Sequence, residues 1–566
     1  MELLQKYFDT ALDSKDGIKK LREMILTLAM KGKLVPQDPA DQPASKLIKE
    51  VQAEKAKLIK DGKIKKQKDL PPIKPEEIPY QLPNGWEWVR LGNLGNIFNG
   101  NSINDSEKKS KFTKATGTPY IATKDIGYGF DELDYNNGIS IPIGSSKFKI
   151  ARAGSVLICS EGGSAGKKCG ITNQDICFGN KLYALEPFSI ILSKYILYIY
   201  LSPFFKQLFI ENMTGIIGGI PQSKFLNILI PLPPFQEQLK VIEKIDLLMT
   251  KCDVLEKLKK EMEQKRLDVH KSAVHALLNS GEINDSWQFL KYNFSELYTV
   301  KENVAELRKV ILQLAMMGKL VPQDPADHPA SELLREIQAE KAKLIKEGKI
   351  KKQKDLLPLK LNEFPYELPS NWNWIQLQSI LVFGPTNGFS PASVNFETDV
   401  KSLTLTATTS GSFNPNHTKN ISNEIPLDSH LWLESGDILV QRGNTIEYVG
   451  VSAVYYGDSY KYIYPDLMMK IRVSDKLSVS YIHYAMNSST CRSYLRSKAS
   501  GTSGTMPKIN QLVLLSLPIP LPPLAEQKLI VAKIDSLMAM CDELEKQITD
   551  SENKKSALLN SLTAQV

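Results

Sequence analysis

The chain is written twice, and nothing else in it limits the possible folds so strongly. Residues 21–35, LREMILTLAMKGKLV, return as LRKVILQLAMMGKLV at 307–321. The match runs on through PQDPADQPAS (36–45) and PQDPADHPAS (322–331), then QAEKAKLIKDGKIKKQKDL (52–70) and QAEKAKLIKEGKIKKQKDL (338–356). It closes with PYQLPNGWEW (79–88) and PYELPSNWNW (365–374), and 50 of the 71 positions from 21 to 91 are identical at an offset of 286. A second block repeats at an offset of 289: IPLPPFQEQ (230–238) and IPLPPLAEQ (519–527), then KIDLLMTKCDVLEK (244–257) and KIDSLMAMCDELEK (533–546). Between the blocks lie two segments, about 92–229 and 378–518, that share little sequence. The order is A, variable, B, A′, variable, B′, two dissimilar inserts in two nearly equal frames.

Each B block opens as a helix, with two prolines and then Glu237 or Glu526 in the first turn, where an acid suits the helix dipole. A heptad stripe follows through Val241, Ile245, Leu248, Cys252, Leu255, Met262, Val269 and Ala273. The later copy runs Ile530, Ile534, Leu537, Cys541, Leu544, Ile548, Leu558 and Leu562. Lys259, Arg266, Ser551 and Lys555 interrupt it, leaving an imperfect seam of ~60 Å that needs a partner helix. The other copy is the natural one, so an antiparallel intramolecular pair is expected. The A blocks begin as a helix ended by Gly32 and Pro36, followed by a second from about Ala44 to Lys60. The lysines from Lys55 to Lys68, copied from Lys341 to Lys354, suit a solvated face or a contact with DNA phosphate or a partner subunit. Trp86 and Trp88, with Trp372 and Trp374, sit two apart after a proline turn, as on a strand that packs into a core. The inserts carry strand-like runs such as 154–160, 181–187, 436–442 and 467–473, a late helical stretch each, and a Gly-rich loop at 214–224 or 500–508. They read as two α+β domains.

A length of 566 residues suggests several modules. The formal net charge of +8 permits nucleic-acid binding without demonstrating it. The N-terminal stretch has acids and no apolar run, and the most apolar segment, around 190–205, is broken by Lys194 and Pro203, so membrane readings are excluded. Six cysteines without a CxxC pair point to a reducing, cytoplasmic compartment and to no zinc site. Gly162 to Lys167 resembles a phosphate loop, but Gly162 is one position too near and Lys168 stands where Ser or Thr is needed. His270 and His275 fall on the long helix as surface or seam residues. No methyltransferase motif, dinucleotide fingerprint or triad appears. The chain is expected to be no enzyme, with no catalytic residue and no metal.

The duplicated helix with its GKLVPQDPAD segment, the LPP-x-x-EQ start and the KID-x-LM-x-x-CD-x-LEK helix resemble the repeated regions of the specificity (S) subunits of type I restriction–modification enzymes. The inserts resemble that family's target recognition domains, and the loop after GDILVQRGN (436–444) and its weaker counterpart GSVLICSEGG (154–163) match the usual pattern, Glu161 standing where the second domain has Arg442. The resemblance implies an α+β chain of two recognition domains joined by a long antiparallel two-helix coiled coil, in a circular pseudo-two-fold arrangement. Its parts would be a helical repeat region at 1–80, recognition domains at 81–232 and 366–521, a central region at 233–365 with helix B and the second repeat, and a C-terminal helix at 522–566. In the circular arrangement, helix 21–31 is expected beside the C-terminal helix, as helix 307–317 lies beside the central one.

The implied function is sequence-specific binding of double-stranded DNA, each domain taking half of an asymmetric bipartite target and the helices setting the spacer. The implied partners are two methyltransferase (M) subunits and restriction (R) subunits. S-adenosylmethionine and ATP with Mg would belong to those partners and not to this chain. Candidate DNA-binding residues are Lys124, Ser160, Ser164, Lys167, Lys168, Asn180, Gln222 and Lys224 in the first domain. In the second they are Thr406, Thr408, Gln441, Arg442, Asn444, Thr502, Ser503 and Lys508. Without a DNA role, the same chain would be a coiled-coil scaffold with two ligand-binding domains.

Overall fold

The computed structural model describes residues 13–564 apart from 67, 129–130, 216–217, 280–282, 351, 355, 360–365 and 502–505. Its helices include α1 (Gly17–Met30), α2 (Ala44–Lys60), α3 (Ser193–Leu201), α4 (Pro203–Glu211), α5 (Gln222–Asn227) and the 45-residue α6 (Phe235–Asn279). The second half has α7 (Lys301–Met316), α8 (Ala330–Lys346), α9 (Val479–Asn487), α10 (Ser489–Ser497) and the 41-residue α11 (Leu524–Ala564). Among the described residues no helix is long and apolar enough to cross a membrane.

The chain divides into two compact units, residues 1–262 with 551–566, and residues 263–550. Each long helix therefore contributes to both: α6 passes from the first unit to the second, and α11 from the second to the first. That is the opposed running of two long helices that the seam called for. The tail 551–566 falls in the unit that holds residues 1–262, and Lys555 Nζ lies 2.6 Å from the Asp13 carboxylate.

The docking of the A helices departs in part from the expected arrangement. The apolar side of α1 (Ile25, Leu26, Ala29) shares one core with Val241, Ile245, Met249 and Cys252 of α6. Arg22 spans to Asp253 at 2.6 Å and Glu256 at 2.9 Å on the same helix. In the second unit α7 does likewise with α11, Arg308 reaching Asp542 at 2.7 Å. Each A helix thus packs on the B helix of its own half, and the core around α7 also takes in Ala273, Val274 and Leu277 of α6, so helix 307–317 shares a core with the central helix as well.

The heptad is also only partly used as a seam. Val241, Ile245 and Cys252 are buried, as are Ile530, Ile534, Cys541 and Ile548. Leu255, Met262 and Val269 are 38%, 55% and 43% exposed. Beyond Cys252 the helix leaves the first core, and it is buried again only at His270 and Leu277. His270 is on this inner side, its Nε2 2.9 Å from the Tyr298 hydroxyl, whereas His275 is exposed. The side chain of Leu562 lies outside the described residues.

Each insert enters and leaves its frame through a two-stranded antiparallel clamp. In the first unit β1 (Glu87–Arg90) pairs with β10 (Leu229–Leu232), placing Trp88 opposite Pro231. Between them lie β2 (Gly95–Asn99), β3 (Thr118–Ile121), β4 (Ser140–Ile141), β5 (Ile150–Ala151), β6 (Val156–Cys159), β7 (Cys169–Ile171), β8 (Ile176–Phe178) and β9 (Leu182–Pro187). They form sheets in the orders β2-β9-β6-β7 and β4-β3-β8-β5.

In the second unit β11 (Asn373–Gln376) pairs with β19 (Pro518–Leu521), with Trp374 opposite Pro520. The enclosed strands are β12 (Leu381–Asn387), β13 (Lys401–Leu403), β14 (Thr418–Asn420), β15 (Ile438–Gln441), β16 (Ser452–Val454), β17 (Tyr462–Ile463) and β18 (Met468–Val473). Their orders are β12-β18-β15-β16 and β14-β13-β17. The larger sheets correspond strand for strand, and the smaller sheets share three strands and one parallel pair, β3 with β8 and β13 with β17, while β5 adds a fourth strand in the first insert alone among the described residues. Two inserts with little common sequence thus share a strand order.

The repeated motifs make the joint between frame and insert. Glu237 is 1% exposed and accepts from Trp86 Nε1 at 2.9 Å and Gln37 Nε2 at 3.1 Å. Glu526 accepts from Trp372 at 2.8 Å and Gln323 at 3.2 Å. The acid placed by its sequence at a helix dipole is therefore also a buried acceptor that ties A to B. Burial raises both carboxyls above their ordinary value, against the hydrogen bonds that draw them down. The neighbouring glutamines hold the insert: Gln527 Oε1 accepts from Ser478 N at the start of α9, and Gln238 Oε1 from Leu192 N at the start of α3. Tyr195 and Tyr481 donate to the carbonyls of Pro231 and Pro520 in the clamps. Gly32 and Gly318, at φ +65° and +68°, end α1 and α7 where a Cβ would come 2.4 Å from Pro83 or Pro369.

Candidate nucleic-acid interface

In each unit the central strand of the larger sheet runs into a loop that is laced to the Gly-rich loop of the same insert. After β6, the Ser160 carbonyl accepts from Ile220 N at 3.0 Å, Gly162 N donates to Gly218 O at 2.8 Å, and Gly166 N donates back to Cys159 O at 2.9 Å. After β15, the Arg442 carbonyl accepts from Ile509 N at 2.9 Å and Gly450 N donates to Gln441 O at 2.7 Å. Bridges pair Glu161 with Gly219 and Gly443 with Lys508. These equivalences correct the sequence alignment by one position: Ser160 occupies the place of Arg442, and Glu161 that of Gly443. Glu161 Oε1 lies 4.0 Å from Lys181 Nζ.

The first loop is lysine-rich. Lys168 reaches back to the Thr123 carbonyl at 3.0 Å and lies 5.0 Å from the centre of the Tyr128 ring, which is 62% exposed. Lys124, next to that carbonyl, is exposed and 3.8 Å from Asp125. Lys167 is exposed and donates to the Gly163 carbonyl, while the Ser164 carbonyl receives the Lys167 N–H. Lys124, Ser164, Lys167 and Lys168 are thus brought together, and Tyr128, which sequence reasoning missed, joins them. Ser160 is buried at 5%, Asn180 is exposed in the turn before β9, and the Gln222 amide is spent on the Ile97 carbonyl. Lys224 stands apart, on a cavity of about 510 Å³ lined also by Pro71, Glu77 and Arg90.

The second loop is built on arginine. Gln441 and Thr408 are both fully buried: Gln441 Nε2 donates to Thr408 Oγ1 and to Leu405 O, and its Oε1 accepts from Asn444 Nδ2 at 2.6 Å. Their polar groups are consumed in shaping the loop, so neither faces outward. Arg442 is half-buried with a 3.5 Å approach to Asp466 O, and Thr406 and Lys508 are exposed. Thr502 and Ser503 lie outside the described residues, as does Gly504. Two residues absent from the sequence candidates anchor the loop from α10. Arg492, 6% exposed, donates to Val449 O and, at 2.7 Å, to Glu447 O, which also receives Arg496 at 2.9 Å. Burial, with the like charge of Arg496 beside it, pulls the Arg492 guanidinium down to about 10. No local motif marks Arg492, because its acceptors lie 43 and 45 positions away.

Two residue ranges, 83–264 and 369–551, match the family model described as type I restriction modification DNA specificity domain. The chain belongs to that family. The specificity subunit of the type I restriction enzyme EcoEI of Escherichia coli is 35% identical over 570 residues, covering 97% of this chain and 93% of that protein. The EcoAI specificity subunit of Escherichia coli is 37% identical over 564 residues, with the same coverage. A chain from a solved structure concerning complex assembly and conformational transition of the type I R-M system aligns at 18% identity and TM-score 0.46, covering 86% of this chain and 99% of that one. Both family ranges begin just before a clamp strand, β1 or β11, and end inside a long helix, so in this specificity chain each holds one insert, its loop and the first part of a B helix.

Proposed function

We propose that this chain is the DNA-binding specificity subunit of a type I restriction–modification complex, each insert reading one half of an asymmetric, bipartite duplex target. The observation that carries the reading is the pairing of sameness and difference. The frames repeat and the inserts share the strand order of the larger sheet, yet the two equivalent loops carry different chemistry, lysines with Tyr128 in one and Arg442 with Asn444 in the other. Different side chains on equivalent scaffolds suit different base pairs, since Arg and Lys favour guanine and Asn favours adenine. Lys124, Ser164, Lys167, Lys168, Arg442, Asn444 and Lys508 are the readers, while Gln441, Thr408 and Gln222 hold their positions.

The long helices set the gap between half-sites, and the two frames dock two methyltransferase subunits. Restriction subunits complete the assembly. Methyl transfer with S-adenosylmethionine and ATP-dependent cleavage belong to those partners, and the complex works in the cytoplasm on duplex DNA. The names of the relatives support the reading.

The test replaces residues 92–229 with the corresponding insert of another family member and selects bound duplexes from a random pool, by gel shift with purified methyltransferase subunit. One half-site should change while the other and the gap persist. A change in both half-sites would end the two-reader model.

A further inference from the structure

The two lysine segments are not explained by the reading loops. From 55 to 68, and again from 341 to 354, the chain has seven lysines against a single acid, Asp61 or Glu347. Each copy thus holds a surplus of six positive charges, while the whole chain carries only +8. Everything outside the two segments is net negative. A duplex-binding protein whose basic excess sits in two places has its phosphate-attracting field there.

The segments are also fixed in position, which a solvated linker does not require. In the second unit four side chains strap the segment to the insert. Lys341 Nζ donates to Gln378 O at 2.6 Å, Gln353 Nε2 to Gly384 O at 2.7 Å, Gln378 Nε2 to Lys354 O at 2.7 Å, and Gln376 Nε2 to Leu357 O at 2.8 Å. Between strap and insert lies a cavity of about 790 Å³ walled by Lys341, Lys349, Lys352, Gln353, Gln378 and His430. In the first unit Arg90, the counterpart of Gln376, holds the matching place by donating to Pro71 O at 2.7 Å and Pro72 O at 3.2 Å. Lys63, Lys65, Lys66 and Lys68 are exposed on the first strap, and Lys349, Lys352 and Lys354 on the second. The acids answer little of this charge: Asp61 lies 3.9 Å from Lys63, and Glu347 2.9 Å from Lys349. Core packing does not account for exposed lysines that recur identically beside inserts that differ. A partner surface that is the same at both copies does, and the phosphate backbone is such a surface whatever the base sequence.

We propose that the lysine straps at 63–68 and 349–354 bind the phosphate backbone of duplex DNA without reading sequence, flanking the base contacts of the loops. This rests on the DNA-binding reading above. The straps supply much of the affinity and its salt dependence, and the loops supply the discrimination.

The experiment measures anisotropy of a labelled random-sequence duplex with the full chain across a salt series. It compares wild type with a variant carrying Lys→Gln at 63, 65, 66, 68, 349, 352 and 354, and with a Lys→Arg variant at the same places. Each lost phosphate contact lowers the slope of log K against log salt by about 0.9. The Gln variant should lose at least about two units of slope, equally on unrelated duplexes, and the Arg variant should keep the wild-type slope. Retention by the Arg variant shows that charge and not folding is being read. A Gln variant with unchanged slope overturns the proposal, as does a loss confined to one DNA sequence. Unchanged slope with loss of a co-purifying acidic protein overturns it too, by assigning the straps to a protein partner. Failure of the wild-type chain to bind any duplex would instead sink the DNA-binding reading itself.

Discussion

Replacing Glu237 by leucine cuts the tie between the repeated blocks in one unit and leaves the other unit as an internal control. The substitution removes the acceptor of the Trp86 indole, which is 5% exposed, and that of Gln37. Gln37 is partly exposed and keeps the Gly32 carbonyl at 2.6 Å, so its loss is small. A buried donor deprived of a charged acceptor costs about 1–3 kcal/mol, and about 2 kcal/mol is expected here. Because the tie joins α1's end and β1 to the start of α6, the cost should appear as local opening of that joint. Hydrogen exchange read by mass spectrometry should quicken roughly 30-fold in peptides covering 235–252, a factor of ten per 1.4 kcal/mol. The peptide covering 524–541, which relies on Glu526 and Trp372, should not change.

The Glu237→Gln variant adds a sign test. Burial raises the folded carboxyl pKa above the ordinary 4.5, so the acid's contribution is fully present below that value and is lost as pH rises through the folded pKa. The glutamine form cannot ionise and should gain relative to wild type as pH climbs above 4.5. Unchanged exchange at 235–252 in the leucine variant would refute the structural role of the tie.

Arg442→Ala should cost about 1–3 kcal/mol at one base position if the side chain reads a guanine, measured by competition among single-base variants of the selected target, and a uniform loss across all variants would assign it to phosphate. Arg492→Met should free the 442–450 loop, lowering discrimination in the second half-site while the first is unchanged; retained discrimination would mean that the loop holds its shape without α10. Arg308→Ala removes ion pairs with partly exposed partners and should cost no more than about 1 kcal/mol, diminishing further in high salt, as judged by thermal unfolding. The Cys169 and Cys491 thiols, pushed up to about 12 by burial, should resist iodoacetamide at pH 8 until the chain is unfolded, and rapid native labelling would contradict their packing.

The frame was legible because duplication repeats a helix, its stop and its joint at constant spacing, so each copy corroborates the other. The common topology of the inserts was not. Sheet order depends on backbone pairing, which sequences as different as 154–160 and 436–442 satisfy equally well. Burial at the loop base was hidden for a related reason. Ile438, Leu439, Val440 and Gln441 are all fully buried, so the strand has no alternation to show which end residues turn outward. A heptad marks residues able to line a seam, but it carries no sign that Leu255 and Met262 lie where the helix has left one core and not reached the next. Sequence alone gives Glu237 only its place at a helix dipole, because its indole partner is 151 positions away.

The clamp has a consequence for the gene as well as for the protein. Since Glu87 stands opposite Leu232, and Asn373 opposite Leu521, each insert begins and ends one strand spacing apart, ~4.8 Å. Any foreign module whose ends meet at that separation can be accepted without disturbing α1, α6 or their copies. The long stretches at 52–70 and 338–356, which differ only at Asp61 and Glu347, also invite crossing-over within a single gene. Such an event excises 286 residues and leaves one A block, one insert and one B helix in frame. The shortened product would keep a complete clamp and its Trp–Glu tie. It would lack the second long helix that each unit shares, and two such half-length chains would have to pair to restore it.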